Sequence, residues 1–494
     1  MRMRRLLLTA LAVALLGAPS CGGTKGTSDN GSAGSSSGTS ACPVDALAKA
    51  KGPVELKIWH IMASLPKSTL EAQVAAFNAS QNKVHVVAQS QGVTFDEIQR
   101  KVEQAMPDKS LPGLVFLEDT KTQWVHDSHA FVPAQACIDA DPAGGKVYDD
   151  LLPIARTSYS IDKKLWPTSF AVYTAVTYYN RKHFIDAGLD PDKPPQTLQE
   201  LYDVAKAIKA KKPSVAFPVA LVAQPWIFEW WLSGAKQPLV NHGNGRDRLA
   251  DASMFKNDRT TQTLELLSKM KAEGLLDVIP ATGGQVDHVL AIATQKSSIT
   301  IESTTAITTI AGVIEGTIDA ARLQDELGVK LPAGAANLKL DLDIGVGPFP
   351  GIEQGGKGQI GGGVWYIPNT TSPEVQAAAW EFSKYMNRPE NQAEWTIKAS
   401  NAPIFQKVID SEAVKKDQET TLSGKWQKVA SDVLSGVDES FPGPVIGPYT
   451  ETRNAIKKAL ETVLLDNGPI GPAVDEADAT ITKQLKSYAA DVGS

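Results

Sequence analysis

Two kinds of side chain in this sequence are equipped to hold a small polar molecule. Trp226 follows Ala223-Gln224-Pro225, and Trp365 comes one residue after the Gly361-Gly362-Gly363 run, so both indoles sit beside loops rather than inside helical patterns. Glu118 and Asp119 end the apolar run Leu114-Val115-Phe116-Leu117. An indole face stacks on C–H groups, and a carboxylate forks hydrogen bonds to neighbouring hydroxyls. Rings and acids brought together therefore suit a polyhydroxylated solute, whose edges are polar and whose faces are not. Trp230 and Trp231 continue the run begun by Trp226, while Trp380 and Trp395 fall inside helical patterns; these four are expected in the core.

Turnover chemistry finds less support. No HExxH occurs, and no GxSxG turn lies between a strand and a helix. The Gly-rich stretch GIEQGGKGQIGGG lacks the GK[ST] ending of a phosphate cradle. His126 and His129 are spaced as a metal pair, but sequence supplies no third ligand, so no metal and no cofactor is expected. A pair of hydrolytic carboxylates is recognised only in space, which leaves an extracytoplasmic glycosidase as an alternative.

These residues must be positioned by alternating elements. VELKIWH (54–60), KVHVVAQ (83–89) and GLVFLED (113–119) read as strands, and the helical patterns 68–78 and 95–106 separate them. Such a β-α-β-α-β order implies right-handed crossovers, with ligands beyond the carboxyl ends of the strands. His60, Gln91, Glu118 and Asp119 stand at those ends. The pattern resumes after Asn180. Ser372-Pro373-Glu374 offers an N-cap, a first-turn proline and a carboxylate at the positive end of a helix. Segments 449–465 and 471–489 read as C-terminal helices.

The N-terminus is of another kind. Arg2, Arg4 and Arg5 precede an apolar stretch from Leu6 to Leu16, the layout of an export signal, too short to span a bilayer. It ends at Ala18-Pro19-Ser20-Cys21, which resembles a lipobox with Cys21 as the lipidated residue; ordinary secretion is the alternative. Residues 22–40 are nearly all small and polar, a flexible tether. Without the three signal arginines the 49 basic residues fall to 46, against 55 acidic, so nucleic acid is not an expected partner. Cys42 and Cys137 read most simply as one disulfide in an oxidising exterior, with two free buried thiols as the other possibility.

Four segments occur in a familiar order: LKIWH…LEAQVAAFNAS, TYYNRKHFIDAGLDPDKPPQTLQEL, IGGGVWYIPN…AAAWEFSKYMNRPENQAEW and PYTETRNAIKKALETVL. In them the chain resembles the solute-binding lipoproteins of bacterial ABC importers, particularly those for carbohydrates and glycerol phosphates. The resemblance implies an α/β fold of two lobes, with mostly parallel sheets flanked by helices. It implies three crossings, near 174–178, 345–348 and 399–403. Lobe 1 would comprise 42–174 and 346–398, lobe 2 175–345 and 399–494, after a signal peptide (1–21) and a tether (22–41). In YTAVTYYN, the first crossing strand, one tyrosine would pack into a lobe and its neighbour face the cleft, or both would pack.

The same resemblance implies ligand contacts at Phe95, where glycerol-phosphate binders carry tyrosine, and at Glu118, Trp226, Ser303 and Thr304. Gly362 and Gly363 would act as backbone donors. Glu118 has a plainer reading as a helix cap or surface acid. Two positions depart from the pattern: Val445 replaces an arginine, and Asn401 replaces a tyrosine. A phosphate would lose a bidentate partner at Val445, so the expected ligand is an uncharged or zwitterionic solute, a mono- or oligosaccharide, with a glycerol phosphodiester as the alternative. ABC permease subunits, and the outer face of the membrane through a lipid on Cys21, are the other expected partners of a monomeric, non-enzymatic protein.

Overall fold

A computed structural model of the chain describes residues 41–281, 287–318 and 342–493. The signal segment, Cys21 and the tether up to residue 40 lie outside the described residues. No helix among the described residues is long and apolar enough to cross a membrane.

Strands β1 (Val54–His60), β2 (Val84–Ser90), β3 (Leu114–Glu118) and β4 (Phe131–Val132) come first. A short hairpin, β5 (Ser160–Ile161) and β6 (Lys164–Leu165), precedes β7 (Ser169–Tyr173) and β8 (Ala175–Asn180). Then follow β9 (Val219–Val222), β10 (Leu276–Ile279), β11 (Ile299–Ser303), β12 (Ile344–Pro348) and β13 (Gly361–Pro368). One sheet runs β2-β1-β3-β13-β4 with β7 also on β13, and the other runs β10-β9-β11-β8-β12. Each is parallel in its βαβ part, where β1 pairs with β2 and β3, and β9 with β10 and β11. Each turns antiparallel around a strand beside the crossings, β13 in the first sheet and β8 in the second.

Local chemistry explains the elements. In β1, Leu56, Ile58 and His60 point inward while Glu55 and Lys57 face out, the two-residue period of a half-buried strand. β13 buries all eight of its residues, as a central strand covered on both faces must. Thr94 and Glu97 form a reciprocal capping box on the helix Phe95–Ala105. Ser372 caps Pro373–Met386 by accepting a hydrogen bond from the Val375 amide. Cys42 and Cys137 are disulfide-bonded with their Cα atoms 4.8 Å apart, tying the start of the folded body to the helix Ala134–Ala140.

Two large cores back the two sheets. The first draws on residues between Cys42 and Val172 and between Ile360 and Val437; the second draws on Ala175 to Ile301, Phe349, and Ile446 to Leu485. A smaller third cluster lies on the other face of β8. Tyr178 and Tyr179 explain that division. Both are buried, Tyr178 in the third cluster with its hydroxyl donating to the Ser303 carbonyl, and Tyr179 in the second core with its hydroxyl donating to Pro191. Neither faces the cleft.

The first crossing falls at Thr174, between β7 in one sheet and β8 in the other. The second falls in the loop between β12 and β13. From Ser400 to Gly436 the chain follows the junction and touches both lobes. Ser400 bonds Thr308 of the second lobe, Phe405 bridges to Leu151 of the first, and the helix Leu422–Gly436 gives Trp426 to the third cluster and Leu434 to the first core. The buried side chains change core between Val437 and Ile446, beyond the limit at 398 expected from sequence.

Candidate functional site

Tyr173 ends β7 one residue before the crossing, so its ring stands where the lobes meet. Thr304 pins that point: its amide donates to the Thr174 carbonyl at 2.9 Å, and its hydroxyl accepts from the Thr174 amide. The helix Pro225–Gly234, opened by a first-turn proline, brings Trp226 and Trp230 against Tyr173. Ring centroids lie 6.3 Å apart for Tyr173–Trp226, edge-on, and 5.9 Å apart for Tyr173–Trp230, stacked. Gly361, paired with Tyr173, lies under Trp230, where a Cβ would sit 2.8 Å from the indole.

Beside this aromatic wall is a charged network. Glu118 ends β3 opposite Gly363 on β13. One of its oxygens accepts from Arg453 Nη1 at 2.6 Å and the other from the Thr120 hydroxyl at 3.0 Å. Arg453 projects from the helix Tyr449–Leu460 and also donates through Nε to Glu229 at 3.0 Å. Tyr449 donates to the same Glu229 carboxylate at 3.1 Å, and the guanidinium lies 4.9 Å from its ring centroid. Burial pushes the Glu229 carboxyl upward, against the pull of Arg453. One guanidinium thus joins carboxylates of both lobes. Further contacts cross the junction from Lys121 to Thr450, Arg246 to the Thr157 carbonyl and Tyr488 to Asp127.

A cavity of about 30 Å³ lies beside the network, lined by Asp119, Ser158, Tyr159 and Gln359 on one side and by Arg246, Val445 and Tyr449 on another. That is room for one or two waters, far below the ~300–1,000 Å³ of ligand pockets. Asp119 accepts from the Tyr159 hydroxyl at 3.1 Å. Burial, reinforced by the charge of Glu118, pushes the Asp119 carboxyl up to about 7, although Arg453, Tyr159 and the Gly362 amide oppose the shift.

The residues named from sequence divide into three groups. Glu118, Trp226, Gly362 and Gly363 come together at the junction, and Gly362 adopts a φ of +133° that a side chain would strain. Asn401 is buried nearby, next to Ala402, whose amide donates to Val172 beside Gly362; its side-chain nitrogen has no partner among the described residues. Ser303 and Thr304 belong to the crossing itself, Ser303 bonding Thr305 and Thr304 bonding Thr174. Phe95 sits further back, 5.8 Å from Phe116, which in turn is 5.0 Å from Trp365. Trp365, read from sequence as loop-side, is 1% exposed and packs in the core. Trp230, Trp231, Trp380 and Trp395 are buried. His60 is buried as well, its Nδ1 accepting from the Met62 amide, and burial lowers it to about 4.

Sequence reasoning missed Glu229, Arg453, Tyr449, Tyr173, Ser158 and Arg246. A signal existed for the first three. Glu229 is the lone charge in PWIFEWWL and needs a buried partner, and Tyr449 and Arg453 are four apart on one helix face. Nothing local marks Ser158 or Arg246.

Residues 72–421 match the family described as bacterial extracellular solute-binding protein. The sn-glycerol-3-phosphate-binding periplasmic protein UgpB of Yersinia pestis is 25% identical over 365 residues, 72% of this chain and 75% of that protein. Among solved structures, the cyclic alpha-maltosyl-1,6-maltose binding protein from Arthrobacter globiformis superposes with a TM-score of 0.67 at 18% identity, covering 88% of this chain and 100% of that one. UgpB from Mycobacterium tuberculosis, solved in complex with glycerophosphocholine, gives 0.67 at 16% identity over 89% and 99%. With more than half of its length matched and two sheets each backed by its own core, the chain belongs to the bacterial extracellular solute-binding proteins, the capturing components of ABC importers.

Proposed function

We propose that the protein captures a sugar or related polar solute between its lobes and presents it to ABC permease subunits, without turning it over. The observation that carries this reading is the wall formed at the crossing, where Tyr173, Trp226 and Trp230 stand beside Glu118, Gly362 and Gly363. Rings from both lobes meet beside a forked carboxylate of the first lobe, as a polyhydroxylated ligand requires. Contacts made only when the lobes meet are what bias closure, and driving a hinge from almost fully open to almost fully closed takes about 5.5 kcal/mol. A stacked ring and a few hydrogen bonds to charged groups, at roughly 1.5–3 kcal/mol each, reach that amount.

A glycosidase reading is weaker, because both carboxylates at the junction, Glu118 and Glu229, are engaged by one guanidinium, that of Arg453. The similarity to UgpB keeps a glycerol phosphodiester as the second ligand reading. We propose further that Cys21 carries the lipid that holds a monomeric protein at the outer face of the membrane, and that the lobes are divided near Thr174 and in the loop between β12 and β13. A thermal-shift screen of the purified protein against sugars, polyols and glycerol phosphodiesters tests the function, with each hit assayed for products. Stabilisation without products is expected. Released reducing ends from an oligosaccharide would establish an enzyme instead.

A further inference from the structure

The cavity beside the network is lined by a cation, Arg246, that makes no ion pair among the described residues. Arg246 donates through Nε to the Gly443 carbonyl at 2.9 Å and through Nη1 to the Thr157 carbonyl at 2.9 Å. A guanidinium has five N–H groups, so three have no partner among the described residues. No carboxylate among the described residues bonds to it. On the opposing lobe Ser158, 9% exposed, lines the same cavity, and its hydroxyl oxygen is buried with no hydrogen-bond partner among the described residues. A buried hydroxyl without a partner is costly unless something satisfies it, and a guanidinium lining the same cavity brings donors that one shared ligand would take up.

We infer that Arg246 and Ser158 form a subsite for an oxyanion, phosphate or carboxylate, carried by the captured solute, and that Arg246 sets the preference for charged over neutral ligands. This deepens, and rests on, the reading of the cleft as a solute site. Arg246 belongs to the second lobe and Ser158 to the first, so an anion bridging them closes the hinge. Oxyanions are the best-matched partners of a guanidinium fork, which bonds them bidentately. The loop carrying Arg246 lies against Val445: the Val445 amide donates to the Asn244 carbonyl at 2.9 Å, and both Arg246 and Val445 line the cavity. Arg246 thus stands beside Val445, the position where the resemblance to glycerol-phosphate binders implies an arginine. Asp119, which lines the same space, weakens the preference only in its charged form, and its carboxyl is raised to about 7.

Calorimetry with matched pairs tests this: glycerol and sn-glycerol 3-phosphate, glucose and glucose 1-phosphate, glucose and glucuronate. The phosphate and carboxylate arms show which oxyanion is taken. The charged member of at least one pair is expected to bind roughly ten- to a hundredfold tighter, the worth of one or two charge-assisted hydrogen bonds. That ratio should fall close to one in Arg246→Met and shrink in Ser158→Ala. It should be partly restored in Arg246→Lys, which also covers a methionine variant that fails to fold. Equal binding within every pair, or a preference that survives Arg246→Met, overturns the inference while leaving solute capture intact. Binding by no member of any pair, charged or neutral, overturns the inference and counts against the solute reading as well.

Discussion

Arg453 ties the junction together, because two carboxylates from opposite lobes depend on it. Glu229 has almost no exposure and, without Arg453, would keep only the Tyr449 hydroxyl. Replacing Arg453 with Met should therefore cost about 3–5 kcal/mol in chemical denaturation, the usual penalty for stranding a buried charge; a loss below 1 kcal/mol, as for surface ion pairs, would show that Glu229 finds another partner. Asp119 makes a second residue-level prediction. An unfolded aspartate titrates near ~4, whereas the folded one is raised to about 7. Between those values the folded protein holds a proton that the unfolded chain has released, so stability falls as pH rises through that window. Melting curves of wild type and Asp119→Asn should separate across it, the wild type losing ground toward neutral pH, whereas parallel curves would place Asp119 in water. Glu118 was legible as a strand-end acid because its apolar run is local. Arg246 and Ser158 were not, because the loops that carry them meet only in the folded chain.

The glycine run of β13 is where an element shapes the site. Gly363 faces the Phe116 ring so closely that a Cβ there would overlap it, and Gly363 pairs with Glu118. Gly363→Ala should displace Phe116, loosen the end of β3 and cost about 1–3 kcal/mol by overpacking. Unchanged denaturation would mean that the ring swings aside freely. The sequence reading took Gly363 for a backbone donor to ligand, and its closeness to Phe116 gives the glycine a packing reason as well. Strands with clear alternation, such as β1, and helices with caps, such as Pro373–Met386, were legible because those signals lie within a few residues. The two-residue strands β4, β5 and β6 were not, since they exist only through their partners. Helix Leu422–Gly436 shows a further limit. Its period reveals apolar positions, but not that Trp426 serves one core and Leu434 another.

Across the molecule, the contacts Glu118–Arg453, Lys121–Thr450, Arg246–Thr157 and Asp127–Tyr488 all join one lobe to the other. On the proposed reading, admission of a solute breaks them, and capture replaces them with contacts through the ligand. Only that difference can shift the equilibrium between open and closed forms. The two-lobed plan was legible because four dispersed segments keep their order along the chain, whereas the ligand was not, because its specificity lies in loops that sequence cannot bring together. The central claim is that both walls grip one solute together. Calorimetric titration of wild type, Glu118→Gln and Trp226→Ala with the strongest hit from the screen measures it directly. Each variant is expected to bind at least about tenfold more weakly, roughly 1.4 kcal/mol, while remaining folded. Wild-type affinity in either one would mean that a single lobe holds the ligand, and would contradict capture between the two.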